Sequence, residues 1–128
     1  MKNEKGFTLI EVMIGMALIG VIVVALLTAL QTASLALFTA DKRATAESLA
    51  RSQIEFIKES PYDDANDPPQ YTGIYVTPLP SGYSITTTAE RLDPKGDGTG
   101  NDDGIQKITV AVNLGGNVIS LQDYKVKR

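Results

Sequence analysis

The stretch that decides the fold is VMIGMALIGVIVVALLTAL, residues Val12–Leu30, which holds 19 consecutive uncharged and mostly apolar residues. A helix needs about 20 such residues to cross a hydrocarbon core of about 30 Å, so this stretch predicts a membrane-spanning helix. A secretory signal peptide is the alternative, but the stretch is longer than a typical signal core and lacks a good small-residue cleavage site after it. The rest of the chain is too small to bury a helix that is apolar all round.

The remaining composition narrows the classes of function. Between Phe7 and Ala40 the only charged residue is Glu11, and the 128-residue chain contains no His, Cys or Trp. This excludes histidine bases, thiolate nucleophiles, Cys/His zinc sites and disulfides. The net charge is -3 and there is no basic run, which argues against nucleic-acid binding. We therefore assign no catalytic residue and expect a protein that is not an enzyme.

The helix is predicted to continue beyond the apolar stretch and to change character. Proline is absent from residues 1–60, and apolar residues recur at helical spacing after Asp41. The stripe consists of Ala46, Leu49, Ala50, Ile54 and Ile57, with Gln53 in the same row and Phe56 at its margin. Because the residue before a proline avoids helical geometry, Ser60-Pro61 predicts that the helix ends near Glu59.

The C-terminal part of the chain is predicted to form a small sheet. An irregular connection, Pro61–Gln70, precedes segments rich in β-branched and aromatic residues. The predicted strands are Tyr71–Val76, Tyr83–Ala89, Ile108–Val112 and Val118–Val126. Gly115-Gly116 predicts a tight hairpin turn that pairs the last two strands antiparallel. Since a small sheet must cover its apolar face, we expect the amphipathic helix to pack on it.

The charged residue inside the apolar run requires an explanation. The N-terminus reads MKNEKGFTLIEVM, in which a short charged segment and Gly6 precede the run that contains Glu11. Thr8 and Glu11 have the spacing of a capping box, which is one interpretation. The second interpretation is a contact with a positively charged partner. It follows because placing a carboxylate in lipid costs a free energy of up to about 2.5–3.5 kcal/mol. The residues alone leave both open, and Thr8 could cap the helix while Glu11 stays free.

The segment Lys5–Met13, KGFTLIEVM, resembles the prepilin signal of type IV pilins and pseudopilins. The resemblance implies that a prepilin peptidase cleaves between Gly6 and Phe7 and methylates the new amino group of Phe7. It also implies that Glu11 contacts the amino terminus of Phe7 in a neighbouring subunit. The expected partners are other pilin or pseudopilin subunits, the prepilin peptidase and an inner-membrane assembly platform.

The predicted fold class is α+β, with a long N-terminal helix that spans the membrane in its first half and packs on a small antiparallel sheet in its second. The predicted regions are a leader at residues 1–6, a transmembrane and assembly helix at 7–40, and an extracytoplasmic domain at 41–128 (amphipathic helix 41–60, β-sheet region 71–126). Lys2 and Lys5 favour a cytoplasmic leader, so the chain is expected to be a single-pass protein of the cytoplasmic membrane with its C-terminal domain outside. After assembly it would lie in an extracellular or periplasmic filament.

The expected function is therefore a structural subunit of a type IV pilus-like or type II secretion-like filament. The segment Thr45–Tyr62 is similar to the minor subunits of this family, while a major subunit is the other possibility. The alternative function is that of an uncleaved single-pass membrane protein whose ectodomain binds a ligand or partner.

One loop contains candidate metal ligands. Asp93, Asp97, Asn101, Asp102 and Asp103 supply the oxygen atoms that calcium prefers, and glycines between them permit tight bends. Compared with an EF-hand, Asp93, Asp97 and Gly98 fit the pattern, but Lys95 and Gly104 stand where acidic ligands are required. The family resemblance adds some support, because major pseudopilins use a calcium loop in this region. A polar connecting loop without metal is the alternative interpretation, and no other cofactor is expected.

Overall fold

The computed structural model describes residues 6–73 and 77–128, which form one helix and three strands. The elements are α1 (Leu9–Glu59), β1 (Tyr83–Arg91), β2 (Ile105–Leu114) and β3 (Asn117–Val126). The contacts divide the chain into two compact units, Met1–Ala40 and Asp41–Arg128. The α+β class is confirmed: the C-terminal part of α1 packs against a three-stranded antiparallel sheet.

The helix α1 is 51 residues long and ends where the sequence predicts. After Glu59 the chain leaves the helix at Ser60, whose N–H and hydroxyl both donate to the carbonyl of Phe56, at 3.1 and 2.7 Å. These bonds satisfy a carbonyl of the last turn, and Pro61 prevents continuation because it has no N–H to donate.

In the sheet, β2 lies between β1 and β3 and pairs antiparallel with both. The predicted hairpin between β2 and β3 is confirmed, with Leu114 opposite Asn117. Gly115 and Gly116 form the turn at φ values of 56° and 93°. Two successive positive φ angles are the geometry of the tight turn that matches the twist of a hairpin, and side chains at these positions would be strained.

The core lies entirely within the second unit. The helical stripe predicted from the sequence is buried, and it packs against Ile108, Val110 and Val112 of β2, each 0% exposed. Polar side chains are buried among them: Gln53 of α1, Gln106 of β2 and Lys125 of β3. A helix face and a sheet face thus cover each other, as a small sheet requires.

One predicted strand, Tyr71–Val76, is wrong over its first three residues, which belong to no strand; the last three lie outside the described residues. Side chains of α1 and β2 bond to this segment. The hydroxyl of Tyr71 donates to Gln106 Oε1 at 2.5 Å, and the carbonyl of Gly73 accepts from Gln53 Nε2 at 2.8 Å. Gly73 also has φ +119°, which lies outside the strand region.

Candidate functional site: the N-terminal segment and the acidic loop

The segment that contains the predicted cleavage point belongs to no helix or strand and is exposed. Gly6, Phe7 and Thr8 precede α1, and the side chain of Phe7 is 82% exposed. Apart from its chain neighbours, a Cβ atom added at Gly6 would meet no heavy atom of the described residues within 4 Å. The peptide bond between Gly6 and Phe7 is therefore accessible, and packing within the described residues does not require a glycine at position 6.

The first turn of α1 is closed by backbone hydrogen bonds, and the described residues show neither of the two side-chain bonds of a capping box. The carbonyl of Thr8 accepts hydrogen bonds from the N–H groups of Glu11 and Val12, at 3.0 and 3.2 Å. Within residues 6–73 and 77–128, the structure gives neither the hydroxyl of Thr8 nor the carboxylate of Glu11 a hydrogen-bonding or ionic partner. The carboxylate of Glu11 is exposed and available to a group outside the chain.

The apolar part of α1 has the properties of a membrane span by length and composition. Its most apolar 18-residue window has a mean hydropathy of 2.7 and is 0% buried. Hydroxyl side chains in this part donate to the carbonyl four residues earlier: Thr28 to Val24 (2.9 Å), Thr32 to Thr28 (3.0 Å), Ser34 to Leu30 (3.0 Å) and Thr39 to Leu35 (2.9 Å). Because these hydroxyls are satisfied without water, they lower the free-energy cost of placing this surface in lipid. The composition of the stretch did not indicate that these hydroxyls bond to the helix backbone.

The acidic loop brings together three of the five predicted calcium ligands. Carboxylate oxygens of Asp93, Asp97 and Asp103 lie within 4.8 Å of one another. The Nζ atom of Lys95 lies 2.6 Å from Asp103 Oδ1. This hydrogen bond lowers the pKa of the Asp103 carboxyl. A cation at this position would therefore have to displace the lysine ammonium.

The other two predicted ligands, Asp102 and Asn101, do not belong to this group of three carboxylates. Asp102 Oδ1 accepts hydrogen bonds from the hydroxyl of Tyr62 at 2.7 Å and from the N–H of Gly104 at 3.0 Å. Burial and this contact raise the pKa of Tyr62. Asn101 donates its amide to Asp97 Oδ2 at 3.3 Å. The alternation of acidic and glycine residues cannot reveal which carboxylates a distant tyrosine will engage.

The second unit also contains a buried cation that the sequence pattern did not predict. Lys125 is 5% exposed, and its ammonium donates to the carbonyls of Ile57, Lys58 (3.2 Å) and Ser60 (2.5 Å) at the end of α1. The three N–H donors of the ammonium thus meet three carbonyl acceptors. The contact is also favourable because the C-terminus of a helix carries partial negative charge. Burial lowers the pKa of Lys125. A charged residue at an inward position of β3 is the signal that could have indicated it.

Comparison with known proteins gives one match. The model of the prokaryotic N-terminal methylation motif matches residues 1–27, whereas no curated protein and no solved structure is significantly similar to the chain. The matched residues include the exposed Gly6–Phe7 segment, Glu11 and the first part of the apolar helix. Residues 1–27 therefore carry the prokaryotic N-terminal methylation motif, the signature of type IV pilins and pseudopilins.

Proposed function

We propose that the chain is a structural subunit of a type IV pilus-like or type II secretion-like filament, cleaved between Gly6 and Phe7 before assembly. The observation that carries the proposal is the methylation motif over residues 1–27, placed on an exposed apolar helix. This motif is typical of proteins that a prepilin peptidase processes, and we infer the role in a filament from it.

The leader and the helix have separate tasks in this proposal. Lys2 and Lys5 keep the leader in the cytoplasm by the positive-inside bias, and the apolar part of α1 anchors the chain in the membrane. Removal of residues 1–6 takes away two lysines and one glutamate, which changes the net charge from -3 to -4. The anchor stays with the chain after the cut, whereas cleavage of a secretory signal peptide removes the apolar segment.

Cleavage creates a charged amino terminus at Phe7 that Glu11 can pair with in a neighbouring copy. An ammonium and a carboxylate are each costly in lipid when unpaired, and they gain free energy by meeting. The exposed carboxylate of Glu11, which has no partner among the residues that the structure describes, supports this contact. The pairing would couple extraction from the membrane to a fixed register of subunits.

The second unit, Asp41–Arg128, lies on the outer side of the membrane in this proposal. Its buried interior is filled by its own side chains, so it would form the exposed part of the filament. Other subunits, the prepilin peptidase and an inner-membrane platform are the proposed partners. An uncleaved single-pass protein whose ectodomain binds a partner is the alternative, and it predicts a precursor that keeps residues 1–6.

The test is the intact mass of the full chain co-expressed with a prepilin peptidase. We expect the loss of six residues and a methylated Phe7, and we expect Gly6→Leu to block the cut because the enzyme must approach this backbone closely. Gly15→Leu is the matched control, since a Cβ there also meets nothing within 4 Å among the described residues beyond the adjacent helix backbone. Complete cleavage of Gly6→Leu, or a wild-type chain that retains its leader, would refute processing at this bond.

A further inference from the structure

The exposed face of α1 in the second unit carries a row of alternating charges. Arg43, Glu47, Arg51 and Glu55 follow one another at intervals of four residues, and all four side chains are exposed. We call these four residues the charge ladder. Such a row is one of the ridges along which helices pack against each other.

No residue of the charge ladder has an ionic or hydrogen-bonding partner among residues 6–73 and 77–128. A further exposed cation of this part of α1, Lys58, differs because it binds Asp123 at 2.8 Å. Ala44 and Ser48 are exposed between the charged residues and are small. Small residues let a second helix approach closely enough for long side chains beside them to reach across the contact.

We infer that the charge ladder is a contact between parallel copies of this chain that are offset by four residues along the helix. The inference rests on the proposed function, because copies anchored in one membrane by the same segment run parallel. An offset of four residues, about 6 Å, forms three arginine–glutamate pairs between the two copies and leaves only one Arg43 and one Glu55 at the ends without a counterpart. Offsets of zero or eight residues put like charges together, which is unfavourable.

The alternation of signs is the reason to choose a second copy as the partner. A surface of one sign would attract only half of the charge ladder and repel the other half. The same sequence displaced by one step complements it at every contact. The charge ladder would then specify the register of neighbouring subunits in the second unit, independently of Glu11 in the first.

The principal test inverts the charges in the full-length chain under conditions in which the wild type assembles. Arg51→Glu replaces two opposite-charge contacts by two like-charge contacts, and we expect filament yield to fall about tenfold or more. Arg128→Glu is the matched control with the same change of charge at an exposed residue outside the charge ladder, and it should assemble normally. The melting temperature of each variant in detergent shows whether the second unit remains folded.

The fourfold variant Arg43→Glu/Glu47→Arg/Arg51→Glu/Glu55→Arg restores every pair and keeps the net charge. We expect it to recover filament yield to within about twofold of the wild type, and to be excluded from filaments of co-expressed wild-type chain, because mixed contacts join like charges. Normal assembly of Arg51→Glu overturns the inference. A fourfold variant that folds and fails to assemble also overturns it, because the partner then is not a second copy.

A second measurement reads the offset without a filament. The chain has no cysteine, so two differently tagged copies can carry Ala44→Cys and Ser48→Cys and be oxidised together in the membrane. We expect the 44–48 crosslink to exceed the 44–44 and 48–48 crosslinks, because a disulfide needs Cα atoms within about 7 Å. A dominant 44–44 or 48–48 crosslink contradicts the inference. A wild type that is cleaved but never forms filaments contradicts the proposed function instead, and the crosslinks still decide the offset.

Discussion

The two parts of α1 differ in whether the protein covers their apolar side chains. Up to Ala40 the helix carries large apolar residues that are exposed, such as Leu18 at 61% and Val21 at 68%. Beyond Asp41 the same helix buries its apolar stripe completely, with Ala50 at 0% and Ile57 at 1%. Apolar surface that the chain does not cover must be covered by lipid or by other chains. The first part therefore depends on its surroundings, and the second is stabilised by its own contacts.

The largest expected effect concerns the single charge in the first part. Glu11→Val should leave cleavage and membrane insertion intact, while filament assembly is abolished because the amino terminus of Phe7 loses its partner. Insertion should become easier, since a charge that is costly in lipid is removed. Quantifying sheared filaments against the membrane-bound pool measures both effects.

The neutral variant Glu11→Gln separates the two interpretations of this residue. Glutamine can still make the hydrogen bond that a capping box with Thr8 would require, but it carries no charge. We expect a defect as severe as that of Glu11→Val. Normal filament yield with both variants would exclude charge pairing, and normal yield with Glu11→Gln alone would favour the capping box.

The next effect contrasts one apolar residue in each part of the helix. Ile57→Ala should destabilise the second unit by about 2–5 kcal/mol, because it leaves a cavity in a closed core. Leu18→Ala should not change the melting temperature of the chain in detergent, since this side chain contributes to no core and alanine is a good helix former. Equal melting shifts in the two variants would contradict the division between the parts.

A smaller effect concerns the buried ammonium at the end of α1. Lys125→Met should lower stability by about 1–3 kcal/mol, because the carbonyls of Ile57 and Ser60 lose their donor while remaining covered. Lys127→Met is the control, since its ion pair with Asp64 is about half exposed and contributes little. A stability of Lys125→Met equal to or above the wild type, measured by denaturant unfolding, would mean that desolvation of the ammonium outweighs its bonds.

The smallest expected effect is the stabilisation of the second unit by calcium bound to the acidic loop. If Asp93, Asp97 and Asp103 bind calcium with a weak extracellular affinity of about 10⁻³ M, then about 10 mM calcium should stabilise the chain by about 1.4 kcal/mol. Lys95→Gln should enlarge this shift, because the competing ammonium is removed. Melting curves in calcium and in chelator that coincide for both proteins would leave the loop as a polar connection.

Much of the fold follows from local sequence pattern. The helical stripe, the end of α1 before Pro61 and the Gly115-Gly116 hairpin are confirmed, because each depends on spacing or on backbone geometry within a few residues. The strand predicted from Tyr71 depended on β-propensity alone. It is wrong over its first three residues, where the carbonyl of Gly73 accepts from the side chain of Gln53 and Gly73 has a positive φ angle. Propensity for strands is decided largely by what packs beside the residue.

The sequence by itself determined the apolar helix with its one carboxylate, the N-terminal motif and the face of α1 that covers the sheet, since periodicity and composition are properties of neighbouring residues. Only the tertiary structure decided which polar groups meet. Lys125 reaches the carbonyl of Ile57 across 68 positions, and Tyr62 reaches Asp102 across 40. Such contacts depend on how a helix end and a strand end are brought together, and a buried polar group must take whatever partner that packing provides.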